Sequence, residues 1–206
     1  MNARLAGIRI ATVSVVAAAL ATVGVRLART APPVPSGSVP PLYGRLVLPT
    51  ELPGFSSPVC PLVQTDVGRW ANGFLSVDQL RRNGFVAGLR ELQHSKTLDA
   101  DGVSSVALFA SARGARAELR DELAEARQTA ARSSTFPVTA IPGASGFALS
   151  SGHASGYNVA FADGRYLYLL GIGFSGDSAQ PRSKTQLLAA ARALYRRVHG
   201  QRNSGD

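Results

Sequence analysis

Residues 157–174 hold two runs of strand-forming residues on either side of Asp163 and Gly164, in the sequence YNVAFADGRYLYLLGIGF. An Asp-Gly pair between two alternating runs indicates a β-hairpin, because the tight turn needs positive φ angles at its centre. Counting outward from this turn pairs Phe161 with Tyr166 and places the aromatic residues on one face. The other face carries small residues that allow a helix to approach closely. The hairpin therefore predicts the centre of a small α+β domain.

The aromatic side of this hairpin is the first candidate for a binding surface. It contains Tyr157, Phe161, Tyr166 and Tyr168. Aromatic rings line many ligand clefts, but a stripe of this kind more often forms the hydrophobic core under a sheet. The sequence leaves both interpretations open.

An apolar run of sixteen residues, 10–25, lies between arginines on both sides. A helix needs about 20 residues to cross the hydrocarbon core of a bilayer, and flanking arginines that reach the interfaces extend the span to residues 7–28. We expect an uncleaved anchor within residues 1–30, with a cleaved signal peptide and secretion as the alternative. The short N-terminus is expected in the cytoplasm and the rest of the chain outside it, as a single-pass protein of the cell membrane.

A proline-rich segment follows the apolar run. Residues 31–42 contain five prolines with serine and glycine, a composition that favours extended polyproline II structure. We assign residues 31–45 to a spacer, residues 46–200 to an extracytoplasmic domain and residues 201–206 to a disordered tail.

Capping residues and apolar periodicity predict the elements of the domain. Ser76 and Ser111 each precede a helical pattern as N-cap residues, and the last helix is predicted to begin at Ser183. Strands are predicted at 85–92 and 103–110. The order of two strands and a helix, then three strands and a helix, predicts a mostly antiparallel sheet of two ββα-like units, packed with two main helices.

The net charge of +9 is unevenly distributed along the chain. Residues 1–50 carry five arginines and no acid, and residues 182–206 carry six basic residues and one acid. In the last helix the candidate contacts for anionic lipid or wall polymer are Arg192, Arg196 and Arg197. A binder of anionic polymer or nucleic acid is thus one alternative function. We expect no nucleic-acid partner, because the folded middle is nearly neutral.

Possible catalytic residues are scattered. Ser145 lies in a glycine-flanked segment one residue short of a nucleophile elbow. His153 is a candidate base for Ser145 or for Ser155, and Asp163 is a candidate to orient it. An exported serine hydrolase is therefore the second alternative, while the absence of convergent catalytic side chains favours a non-catalytic domain.

No cofactor or metal site is predicted. The three histidines lack partners at metal-ligand spacing, and the glycines of residues 171–176 are not followed by the helix and acid that a dinucleotide site needs. Cys60 is the only cysteine, which excludes an internal disulfide. We expect its side chain to be buried, since cysteine is among the most buried residue types.

Three segments of the chain resemble parts of membrane-anchored or exported envelope proteins of actinomycetes. They are ELPGF at 51–55, FADGRYLYLLGIGF at 161–174 and LLAAARALYRRVHG at 187–200. The element order is also similar to that of PsbP-like envelope lipoproteins, although the cysteine that carries their lipid is absent. The resemblance covers about residues 50–200 and implies a non-enzymatic α+β domain at the cell envelope. We therefore expect an anchored domain that binds a partner protein, a lipid or a small apolar ligand.

Overall fold

The structure, a computed structural model, describes residues 41–58, 60–72, 75–129, 132–150, 153–176 and 180–203. The predicted anchor, the spacer before residue 41 and the last three residues lie outside this part of the chain. Among the helices that are described, none combines the length and the apolar character that a bilayer span requires.

The secondary structure begins with a 3₁₀ turn at Tyr43–Arg45. The helices are α1 (Val67–Ala71), α2 (Val77–Arg82), α3 (Ala112–Thr129) and α4 (Pro181–Asn203). The strands are β1 (Phe85–Ser95), β2 (Ala100–Phe109), β3 (Arg132–Phe136), β4 (Ser145–Ser150), β5 (Ala154–Asp163) and β6 (Tyr166–Ser175).

The six strands of the described residues form one antiparallel sheet in the order β1-β2-β6-β5-β4-β3. Helix α3 carries the chain from β2 to the far edge, and β3 to β6 then return strand by strand to the middle. The predicted α+β class and antiparallel sheet are confirmed. The second unit has four strands rather than three, because the polar segment that forms β3 lacks the apolar alternation of a recognisable strand.

Both faces of the sheet are covered. We call residues 42–64 the N-terminal arm and the face of the sheet that carries Phe161 and Tyr168 the aromatic face. Helix α4 and the first part of the arm pack on the aromatic face. Helices α1, α2 and α3 pack on the opposite face, here the acidic face because α3 places Glu118 and Glu122 against it. The arm then turns around the β1 edge, where it forms isolated bridges to that strand.

The predicted helix starts are close to those observed. The Ser76 hydroxyl accepts a hydrogen bond from the Gln79 amide at 3.3 Å, and the Ser111 hydroxyl accepts one from the Gly114 amide at 3.0 Å. Each bond satisfies an amide that has no partner within its own helix. Helix α4 begins two residues before the predicted Ser183, at Pro181, whose fixed φ suits the first helical position.

The hairpin prediction is right about the faces and wrong about the pairing. Phe161 pairs with Tyr168, and Asp163 pairs with Tyr166. The central residues of the turn are therefore Gly164 and Arg165. Gly164 has a φ of 58°, and the φ of Arg165 is not positive. Glycine at the first central position is typical of a type II′ turn. Each predicted pair is displaced by two residues, so every side chain keeps its predicted face.

The expected burial of Cys60 is wrong, because its side chain is exposed. Cys60 lies between Pro58 and Pro61 in the part of the arm that follows the edge of β1. Proline has no amide hydrogen to donate, so this segment cannot pair continuously with the strand. The segment runs along the outside of the sheet and leaves the thiol in contact with solvent.

Candidate functional site

The centre of the aromatic face is a stacked pair of rings. Phe161 and Tyr168 are directly paired across β5 and β6. Their ring centroids are 4.7 Å apart with 16° between the planes, and both side chains are fully buried. The Tyr166 ring lies 6.3 Å from that of Tyr168 and remains partly exposed. Three of the four predicted aromatic residues are thus in one cluster.

Helix α4 closes this cluster from above. The Tyr195 ring meets Phe161 edge to face at 5.8 Å, and the His199 ring stacks on Tyr195 at 5.1 Å. His199 Nδ1 is 3.3 Å from Oδ1 of Asp163, a residue that is only 7% exposed. The sequence signal for these helical partners is their spacing of four residues, which places both rings on one side of α4.

The N-terminal arm supplies a cation to the same place. The Arg45 guanidinium carbon lies 3.8 Å from the centroid of the Tyr166 ring, and Nη1 donates a 2.8 Å hydrogen bond to the Tyr168 hydroxyl. We call the group formed by Arg45 and its partners on β5, β6 and α4 the aromatic–ionic cluster. Its members are Arg45, Phe161, Asp163, Tyr166, Tyr168, Tyr195 and His199.

The Tyr168 hydroxyl keeps its proton at physiological pH. Burial raises the pKa of this phenol to about 12, although the neighbouring Arg45 opposes the shift. A neutral phenol accepts the hydrogen bond from Arg45 without bringing a second buried charge into the core.

Tyr157, the fourth predicted aromatic residue, lies in a different contact group. It pairs with Ile172 on β6, and its ring meets Phe136 edge to face at 6.2 Å. The Lys184 ammonium lies 4.1 Å from the centroid of the Phe136 ring. Tyr157 is four residues from Phe161 along β5, which is about 14 Å at the rise of an extended strand. The structure therefore divides the predicted aromatic surface into two parts.

The aromatic–ionic cluster contains types of group that bind cations and ring systems in proteins. Aromatic faces attract cations and stack with apolar or aromatic groups, and a carboxyl group at the side favours positive charge. In this structure the cation is Arg45, and the two central rings have no exposed surface. A ligand at this position has to displace part of the N-terminal arm.

The three predicted anion contacts of α4 have three different environments. Arg197 forms a bidentate ion pair with Glu51, at 2.9 Å from both Nε and Nη2, and also donates to the carbonyls of Gly44 and Leu46. Arg192 binds the carbonyl and the hydroxyl of Thr139, at 3.3 and 2.8 Å. Arg196 is exposed. Two of these guanidinium groups thus serve internal contacts.

The candidate triad residues do not converge. His153 directly precedes β5 and Asp163 ends this strand, which places them about 33 Å apart at the rise of an extended strand. Asp163 contacts His199 instead. The Ser155 hydroxyl donates to the Gly176 carbonyl at 2.7 Å, and Ser145 starts β4 at the position paired with Ala160.

A second polar cluster lies on the acidic face and was not predicted. Glu118 is fully buried and accepts hydrogen bonds from Gln79 Nε2 at 3.0 Å and from Asn83 Nδ2 at 2.8 Å. Glu122 lies one helical turn further along α3, beside Arg90 of β1. The Arg90 guanidinium also lies 4.6 Å from the centroid of the Trp70 ring.

The charges on this face perturb one another. Burial raises the pKa of Glu122 to about 8; the neighbouring Glu118 adds to the shift and Arg90 opposes it. Burial also raises the pKa of Glu118, against the hydrogen bonds from Asn83 and Gln79. For Arg90, burial lowers the pKa and Glu122 opposes that change. The feature of the sequence that could have indicated this cluster is the pair of like charges four residues apart, next to the apolar stripe of α3.

Within the described ranges, no group of three or more histidine, cysteine, aspartate or glutamate side chains is arranged to hold a metal ion. In the second polar cluster, amide donors contact Glu118 and an arginine lies beside Glu122.

Comparison with known proteins identifies a similar fold. No protein-family model and no curated protein sequence matches this chain. Among solved structures, the chain is similar to the extracellular domain of PknH from Mycobacterium tuberculosis, with a TM-score of 0.50 and 9% sequence identity. The match covers 74% of this chain and 94% of that domain. At this identity the likeness concerns the fold alone.

Proposed function

We propose that this chain is a membrane-anchored, extracytoplasmic and non-catalytic domain that binds a partner at the cell envelope. The observation that carries the proposal is the likeness to a domain that is itself extracellular, over 94% of that domain's length. A match to nearly all of the neighbour supports equivalence of the two domains as folding units.

The N-terminal sequence supports the same location. The apolar run at 10–25 and the proline-rich residues after it precede the domain, in which Leu42 is the first buried side chain among the described residues. A leader that is separated from the fold by a spacer is typical of a domain held at a membrane. The proposal includes the expected orientation, with the apolar run as a signal anchor and the domain outside the cytoplasm.

A non-catalytic role is supported by the distance between His153 and Asp163 and by the internal hydrogen bonds of the candidate groups. The base of a catalytic triad needs its orienting carboxylate within hydrogen-bond reach. We propose that ligands bind at the aromatic–ionic cluster, where displacement of Arg45 would expose Tyr166 and Tyr168 to a small apolar molecule.

Localisation of the chain in an actinobacterial host tests this proposal. The full chain with a C-terminal epitope tag is compared with a variant that lacks residues 2–30. We expect the full chain in the membrane fraction, with its tag removed by protease added to intact cells whose wall has been digested, and the variant in the cytosol with its tag protected. A full chain that stays in the cytosolic fraction, or whose tag is protected from protease, overturns the proposal.

A further inference from the structure

The N-terminal arm carries most of the large apolar side chains exposed on the described part of the chain. Of the four that are exposed, three belong to the arm: Tyr43, Leu48 and Leu62. Tyr43 is 55% exposed and Leu62 is 58% exposed. Single exposed apolar residues are common on protein surfaces, so the question is whether these residues lie together.

Two distant parts of the arm meet at one place. The Tyr43 hydroxyl donates a 3.1 Å hydrogen bond to the Pro61 carbonyl, which brings the start of the arm against its later part on the β1 edge. Cys60 and Leu62, on either side of Pro61, are both exposed. We call the group of Tyr43, Cys60, Pro61 and Leu62 the arm patch.

The sequence around Cys60, Pro61 and Leu62, the later part of the arm patch, is free of charge. The fourteen residues between Glu51 and Asp66 contain no acidic or basic side chain, whereas roughly a quarter of the residues in a typical globular protein are charged. Removing a charge from water is costly, so an uncharged segment is better suited to contact with an apolar phase than a charged one. Tyrosine is also enriched at the boundary between bilayer and water.

The position of the arm patch relative to the rest of the chain indicates its partner. Tyr43 lies near the end of the predicted spacer, residues 31–45, and the eleven residues 31–41 would span about 34 Å as polyproline II. The domain is therefore confined near the bilayer that holds the apolar run at 10–25. The arm patch is next to the point where the spacer enters the fold.

We infer that the arm patch docks on the phospholipid surface of the membrane that holds the anchor, with Tyr43 and Leu62 in the headgroup region. The β1 edge of the sheet then faces the bilayer surface, and the aromatic–ionic cluster is held close to the lipid. This inference rests on the proposed function, because docking at this place requires the anchor.

The single cysteine permits a direct test with the full chain. A fluorophore on Cys60 is compared with one on Ser134→Cys in a Cys60→Ser background, after reconstitution in phosphatidylcholine vesicles that contain a nitroxide-labelled lipid. Ser134 is exposed on β3, at the opposite edge of the sheet, about 24 Å away at the usual strand spacing. We expect quenching by the lipid to be at least threefold stronger at Cys60.

Substitutions in the arm patch complete the test. Tyr43→Ser and Leu62→Ser are expected to reduce the quenching at Cys60 by half or more while the circular dichroism spectrum is unchanged. Equal quenching at both label positions, or quenching at Cys60 that neither substitution alters, overturns the inference. Flotation of the vesicles separates the two proposals. If the chain floats with the vesicles and Cys60 is not quenched, the docking inference fails and the anchor stands; if the chain does not float, the proposed function fails.

Discussion

The two faces of the sheet bury ionisable groups in different ways. On the aromatic face three basic side chains each contact a partner from another element: Arg197 binds Glu51, His199 contacts Asp163, and Arg45 binds the neutral phenol of Tyr168. On the acidic face two carboxyl groups of α3, Glu118 and Glu122, lie one turn apart, and Arg90 lies beside Glu122.

Because of this difference, we expect the two faces to respond differently to solvent conditions. Removing one partner of a buried ion pair leaves the other charge unpaired inside the fold, which is costly. A carboxyl group that is buried beside another carboxyl group is held in its neutral form. The aromatic face should therefore be sensitive to removal of a partner, and the acidic face should be sensitive to pH.

The largest expected effect is loss of packing on the aromatic face. Phe161→Ala should lower the free energy of unfolding by about 4 kcal/mol, because the ring is fully buried and stacked on Tyr168. Leu119→Ala, on α3 over the acidic face, should cost about 2 to 3 kcal/mol. Urea unfolding followed by circular dichroism measures both. A greater loss at Leu119 would contradict the expected order of the two substitutions.

The second largest loss of stability is expected when one partner of the ion pair between Arg197 and Glu51 is removed. Arg197→Met should destabilise the fold by about 2 to 3 kcal/mol, because it leaves the Glu51 carboxylate unpaired when that side chain is only 11% exposed. The neighbouring Arg196→Met is the matched control, and its effect should stay within about 0.5 kcal/mol since Arg196 is exposed. Similar unfolding midpoints for the two variants would count against the ion pair as a stabilising contact.

The acidic face should make stability depend on pH. The pKa of Glu122 is raised from 4.5 to about 8 in the fold, so the folded state binds a proton more tightly than the unfolded state. Its contribution is complete below pH 4.5 and is lost as pH rises through 8, a decrease of about 1 to 2 kcal/mol for a side chain that keeps some contact with water.

Glu122→Gln is the variant for this measurement, because an amide does not titrate. Urea midpoints between pH 5 and pH 9 should decline for the native chain, and the decline should be shallower in the variant. The groups that face Glu122 are Glu118 and Glu125 on α3 and Arg90 on β1, so Glu118→Gln should flatten the profile further. If the urea midpoint declines with pH equally in the native chain and in Glu122→Gln, this carboxyl group does not cause the pH dependence.

The smallest expected effect concerns Arg45. Arg45→Met should lower stability by about 1 kcal/mol, because it removes the contact with the Tyr166 ring and one hydrogen bond to a phenol. The variant should also bind the apolar dye anilinonaphthalene sulfonate more strongly, since the arm no longer closes the aromatic–ionic cluster. Unchanged dye fluorescence in a folded variant would oppose ligand entry at this cluster.

Local signals in the sequence predicted local structure well. The caps at Ser76 and Ser111 are short-range hydrogen bonds, so their residues are readable without knowledge of the fold. The faces of the hairpin were right because side chains alternate along a strand. The pairing was wrong because Asp163-Gly164 and Gly164-Arg165 both offer a glycine with positive φ, and only the neighbouring strands select between them.

Contacts over long distances in the chain were not predictable from the same signals. Arg45 reaches Tyr168 across 123 residues, and Arg197 reaches Glu51 across 146. The arm has no regular period, so nothing in its sequence indicates which face it covers. Glu118 and Glu122 look like solvent-exposed charges on a helix until α2 and β1 are known to pack beside them.

Arg197 fastens the beginning of the domain to its end with four hydrogen bonds. Arg197 follows all six strands in chain order, so these contacts with the arm form only after α4 has been made. A chain that ends before residue 197 would lack these four hydrogen bonds as well as the C-terminal turns of α4. A force applied to the start of the arm would pass in part through this guanidinium group into the last helix of the described chain.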